Sequence, residues 1–584
     1  MNLSGFLKQV DEICSKKSRE ELSQFVHEVA RKLPSEKRED FLDDLRSVGA
    51  SPQLLKSIAG KGFQERCDAI VAELMRIEEA ELMLESELNE NYDDWYHDDE
   101  EEFVFTDPQG IGRIIETACE FLYDCEDHEE YDFGAEVAGT LLNLEIFDHG
   151  EYNDCVGETL SLGEIVEKGL AGIDMKKTLL CALYLEYFAS DKEEKPEALY
   201  SIFSEYARYG VTLEQLMQYG KELPDFQEFL CDWISWLGVR TDRLAQKLLN
   251  EAVELMDDED ILLESARKYV GTHPGLYEKY MMNKSAGAAT SRDAKERLYA
   301  IGQEALSAID TSYTVRSRIA LLNMEIAEDL GWVDDEERCM VEVFRSDSTL
   351  ANYLRIRLTS HDYSKYEMEI TGICKAFYMK EGGLRQAYDN GELTKNEIGS
   401  NTAYMLAFLE GDFDTVLRKG MNTKEALGWS STFMKCGLAA FLLLLLESES
   451  LTIGARKMCG TVMEYAGHLQ FDHSGKRKDA QDAAGEFWKL FSLWKKTVNV
   501  SKEQKSRWLE RMEELIDRRV EGIMSANRRN YYDECAAYVA ALGEVKESAG
   551  EPGGKQKVME QYRMKYSRRS AFHQALRAHG MRGK

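Results

Sequence analysis

Hydrophobic positions recur along this chain with helical spacing almost from end to end. In "RIALLNMEIAEDLG" (318 to 331), Ile319, Leu322, Ile326 and Leu330 share one face and Gly331 stands where a C-cap belongs. "DEERCMVEVF" follows at once, so the spacing predicts an antiparallel hairpin closed by a glycine turn. "TLLCALYLEYF" (178 to 188) carries one charge, Glu186, and predicts a helix buried on nearly every side. "CGLAAFLLLLL" (436 to 446) is wholly apolar but far short of the about 20 residues that cross a bilayer, so it reads as a core helix. In "YMLAFLEGDFDTVL" (404 to 417) an apolar face ends at Gly411-Asp412, an aromatic follows, and apolar positions resume.

That last stretch has the turn of a tetratricopeptide repeat, and Leu330-Gly331-Trp332 resembles it. A strict 34-residue period fails, because Lys419-Gly420 cuts the second helix short. The expected fold class is all-α: an irregular α-solenoid of antiparallel helix hairpins, tetratricopeptide-like. At about 40 residues per hairpin, residues 108 to 545 would make roughly eleven. The expected domains are an N-terminal helical region (1–90), an acidic linker or loop (91–107), the solenoid (108–545), and a Gly-rich break with a basic C-terminal segment (546–584).

Proline strengthens the helical reading. There are seven in 584 residues, each placed where a helix could begin, at 34, 52, 108, 196, 224, 274 and 552. An interior proline would cost a helix about 3 kcal/mol. The one strand-like segment, "EFVF" at 102 to 105, is read as too short to build a sheet.

Charge divides the chain. The net charge is −35, and residues 551 to 584 hold nine Lys or Arg against two Glu, a balance of +7 that leaves −42 on residues 1 to 550. Phosphate backbones and anionic membranes are therefore disfavoured partners for the body. From Glu73 to Asp107 there are fifteen acidic residues and one Arg. That run reads as a solvated linker, or as a docking peptide in which Trp95, Tyr96, Phe103 and Phe105 anchor.

The C-terminal stretch interleaves Tyr562, Tyr566 and Phe572 with Arg563, Lys565, Arg568, Arg569 and Arg577. Such residues suit single-stranded nucleic acid or an acidic protein groove. The favoured reading is that the helix caps the array, its rings covering the last apolar face, with recruitment secondary. Partner-binding candidates are Arg563, Tyr566, Arg568, Arg569, Phe572 and Arg577, with Trp95 and Tyr96.

Catalytic and metal chemistry finds little support. "GEPGGK" (550 to 555) lacks phosphate-loop spacing and places Gln556 where Ser or Thr must hold magnesium. His468, Asp472 and His473 could converge on a cation, or simply decorate a helix end. Cys119 and Cys125 lie about 240° apart on a helix, so with His128 they diverge. The twelve cysteines include no CxxC or CxC pair, which fits a reduced, cytoplasmic compartment. No catalytic residue, metal or cofactor is assigned.

"RSRIALLNMEIAEDLG", "VFRSDSTLANYLRIRL", "ALGWSSTFMKCGLAAFLLLLL" and "YRMKYSRRSAFHQALRAHG" resemble the helical region that accompanies SWIM zinc fingers in uncharacterised bacterial proteins. The resemblance spans 108 to 584 and implies a bacterial, tetratricopeptide-like scaffold. The CxC and CxH pairs of the zinc site are missing, so no zinc role carries over. The expected function is a non-enzymatic scaffold or adaptor in a bacterial multi-component system, holding a protein or peptide on its helical surface, with no membrane partner. The alternative is a nucleic-acid-associated accessory or anti-phage factor that works through the basic tail alone.

Overall fold

Helix entrances coincide with proline. In the computed structural model, which describes residues 16–32, 54, 58, 60–88, 103–150, 159–256, 259–286, 291–379, 388–466 and 482–582, Pro196 lies in the first turn of Lys195–Glu205. Pro108, Pro224, Pro274 and Pro552 stand just ahead of the helices Ile111–His128, Phe226–Leu237, Gly275–Ala286 and Gly554–Lys565. Pro34 and Pro52 fall outside the described residues. Helix takes 71% of the described residues and strand 3%, so the class is all-α. Among the described residues no helix is long and apolar enough to cross a membrane.

The chain forms two compact units, Met1–Asp257 and Asp258–Lys584. In the first, Phe63–Glu78, Ile111–His128, Tyr131–Leu142 and Met175–Ala189 pack together, and the apolar Met175–Ala189 buries Leu179, Cys181, Ala182, Leu183, Leu185 and Tyr187. Strand β1 (Leu84–Leu88) pairs antiparallel with β2 (Phe103–Thr106), and β3 (Glu145–Ile146) is followed by β4 (Asp148–Gly150), which pairs parallel with β1. A last strand, β5 (Leu160–Ser161), pairs with β3. The expectation that the segment around Phe103–Phe105 builds no sheet is thus overturned. A short strand needs partners for its backbone groups, and these come from 84–88, which the pattern of residues 1–90 reads as helical. Leu84 and Ser86 face inward and Glu85 outward, a period of two hidden among acidic residues.

In the second unit, Arg292–Ala308, Val315–Leu330 and Val333–Ser346 pack in succession. Gly331, at φ +73°, turns the chain between the last two. Glycine takes this left-handed conformation without a Cβ penalty. The Gly411 turn follows the same plan: Ser400–Leu409 ends, Gly411 sits at φ +79°, and Asp412 accepts from Thr415 N at 3.2 Å. The next helix stops early, because Val416–Gly420 winds as a π-turn. Met434–Leu445 is buried along all its residues and packs on Ile453–Ala466, Lys502–Ser525 and Tyr532–Ser548. Its only charged side chain, Lys435, enters the site described next.

Candidate interaction surface

The two C-terminal helices, Gly554–Lys565 and Ser570–Ala578, lie against Tyr532–Ser548. Helical spacing puts Val558, Met559 and Tyr562 on one buried face and Phe572 and Leu576 on another. Close approach is set by Gly543, where an added Cβ would come within 2.7 Å of Lys555 Cα. Basic side chains of this segment meet the acidic body. Lys555 Nζ lies 2.6 Å from Glu544, Lys565 Nζ 3.3 Å from Glu521, and His579 Nε2 2.8 Å from Asp533. Tyr562 donates to Asp517 at 2.7 Å, and burial pushes its hydroxyl far above the ordinary value.

These contacts sort the sequence candidates. Phe572 is 0% exposed, so its ring is closed to base stacking, a correction to its candidacy. Tyr566 is half-buried and donates to Glu521 at 2.7 Å. Arg563 is held by Glu560 one turn away, its Nε at 2.7 Å. Arg569 gives Nη1 to Asn527 Oδ1 at 2.6 Å and Nη2 to Met524 O at 2.7 Å, so it is an internal brace. Arg568 and Arg577 are exposed. Trp95 and Tyr96 lie outside the described residues.

The brace brings in residues that the sequence pattern does not single out. Met524 lies in the last turn of Lys502–Ser525 and Asn527 in the turn that leads to Tyr532–Ser548, where Arg528 and Arg529 are exposed. The Arg569 bonds therefore bring the turn that holds Arg568 beside the turn that holds Arg528 and Arg529, two residues ahead of Tyr531. The signal for them is "NRRNYY" (527 to 532), a basic pair set among turn-forming and aromatic residues.

Beneath Tyr531 lies a buried ionic centre. Lys435 and Arg519 are 6% and 2% exposed and share one carboxylate, Glu534. Lys435 Nζ is 2.6 Å from Glu534 Oε2. Arg519 Nη2 and Nε donate to Oε1 at 2.8 and 3.0 Å, and Nη1 donates to Ala426 O at 2.8 Å. Two cations to one anion leave a positive excess in a nearly dry place. Aromatic faces offset it: Arg519 sits 5.0 Å from the Trp429 ring and 5.2 Å from Tyr531, and Lys435 lies 5.5 Å from Tyr531. Burial pulls the Lys435 amine down, but the Glu534 hydrogen bond and charge outweigh it and hold the amine above its ordinary value.

The remaining candidates have structural tasks. Lys555 of the "GEPGGK" stretch is bound to Glu544, which also accepts from Gly454 N at 3.0 Å and Ala455 N at 3.1 Å at a helix start. Cys119 and Cys125 are buried, and burial pushes both thiols up to about 12, so neither carries thiolate at neutral pH. His128 stays exposed, and His468, Asp472 and His473 lie outside the described residues. No protein-family model, curated protein or solved structure matches the chain.

Proposed function

We propose that this chain is a non-enzymatic interaction scaffold or adaptor, working in the cytoplasm of a bacterium within a multi-component assembly. In this reading its helix hairpins form an irregular tetratricopeptide-like array, and partners are proteins or peptides. The observation that carries the reading is the exposed arginine corner, Arg528, Arg529 and Arg568, on a platform braced from within. Charged groups at and near the core support it as well, because Glu534, Glu544 and Arg519 are engaged in joining helices. A nucleic-acid accessory role, in anti-phage defence or elsewhere, would use the same arginines. Burial of Tyr562 and Phe572 weighs against it, since stacking needs open ring faces. Affinity capture of the full chain from its native host tests the proposal, with the expected result a stoichiometric protein partner that nuclease treatment does not release. Release by nuclease would transfer the function to the second reading.

A further inference from the structure

We propose that the corner formed by Arg528, Arg529 and Arg568 docks a short acidic peptide segment of a partner protein. The inference rests on the scaffold reading and names the chemistry of one partner.

Three features point to this occupant. In a chain with 107 acidic and 72 basic residues, a surface cation has many chances to pair. Lys565, Arg563 and Lys555 do so, whereas Arg528, Arg529 and Arg568 have no carboxylate partner among the described residues. Guanidinium groups free of internal partners present forked donors that match carboxylates. The corner is also held in shape before any ligand arrives. Asn527, at φ +52°, is gripped by Arg569, and Tyr531 is 36% exposed while Arg519 and Lys435 lie at 5.2 and 5.5 Å from its ring. A pre-ordered turn loses little freedom on binding, and a braced ring offers apolar contact beside the charges.

Patch size separates peptide from nucleic acid. Glu521 and Asp517 adjoin the corner through Tyr566, Lys565 and Tyr562, so the basic surface is short. A nucleic-acid strand carries a charge at every step and would run on over a body of net negative charge. A peptide can end its acidic run where the arginines end.

The test uses the full chain and a fluorescent peptide of eight glutamates and one tryptophan, read by anisotropy at low salt and at about 150 mM salt. The expected result is salt-sensitive binding that weakens about tenfold in Arg528→Ala/Arg529→Ala/Arg568→Ala, the loss appropriate to three exposed ion pairs. A charge-matched control, Lys176→Ala/Lys424→Ala/Lys489→Ala, should bind as the wild type does. Unchanged thermal melts would show that both variants fold. Equal weakening in both triples, or no binding by the wild type, overturns the proposal. So does single-stranded DNA that displaces the peptide at equal charge. If the arginine triple binds the peptide normally while a captured host partner stays bound, this docking surface falls and the scaffold reading stands.

Discussion

Replacing Glu534 by Gln should be among the more damaging single changes available in this protein. The carboxylate lies between two cations that are 6% and 2% exposed, and its own side chain is 20% exposed, so water can replace little of what is lost. Breaking a buried pair by removing one partner costs about 3–5 kcal/mol. The amide cannot evade this, because its oxygen can face Arg519 or Lys435 but its NH₂ must then point at the other cation. At roughly 2 °C per kcal/mol for a unit of this size, the melting temperature should fall by about 6–10 °C. Lys435→Met is the contrasting variant. It removes the surplus cation, leaves Arg519 and Glu534 as a balanced pair, and should cost far less. Calorimetry of both variants at neutral pH decides the matter. A fall below about 2 °C for Glu534→Gln, or an equal fall for Lys435→Met, would refute the view that Glu534 neutralises a buried excess.

Three further outcomes follow from the same packing. Phe572→Ala should destabilise by about 3–5 kcal/mol as a buried-ring deletion, read from urea midpoints, whereas a partner-binding ring on the surface would leave the midpoint unmoved. Glu544→Ala strands Lys555 and the amides of Gly454 and Ala455, and should cost about 3 kcal/mol in the same assay. Lys495 donates to Leu443 O and Leu446 O, and burial, followed by the Lys505 charge, lowers it from 10.5 to about 8. For a base with a depressed folded value, the unfolded chain holds the proton longer. The cost of burying this cation is therefore complete below about pH 8 and fades towards 10.5, so the wild type should gain stability relative to Lys495→Met as pH rises through that window. A difference that stays flat with pH would contradict the assignment.

Features carried by a few neighbouring residues are legible in the sequence. Proline at 196, the apolar run through Leu438–Leu445, and the glycines at 331 and 411 each act within a few turns of helix, and each appears where the pattern places it. Strand β1 escapes such a reading because its partners, 103–106 and 148–150, are distant in sequence and its alternation is crowded by glutamates. Tyr562 and Phe572 stand out as aromatic but not as closed to a partner, since a ring that stacks and a ring that packs have the same chemistry until burial separates them.

By itself the sequence determined the helical class, the main helix entrances and turns, and the reversal of charge towards the C-terminus. Helix hydrogen bonds close over four residues and amphipathic faces repeat within two turns, so these properties need only local information. Tertiary structure alone decided which charges remain free. Arg569 is spent on Asn527, 42 residues away, and Arg519 on Ala426, 93 residues away, while Arg528 and Arg568 are left in solvent. An arginine's role depends on which helix arrives beside it, and that choice is made by packing across the unit.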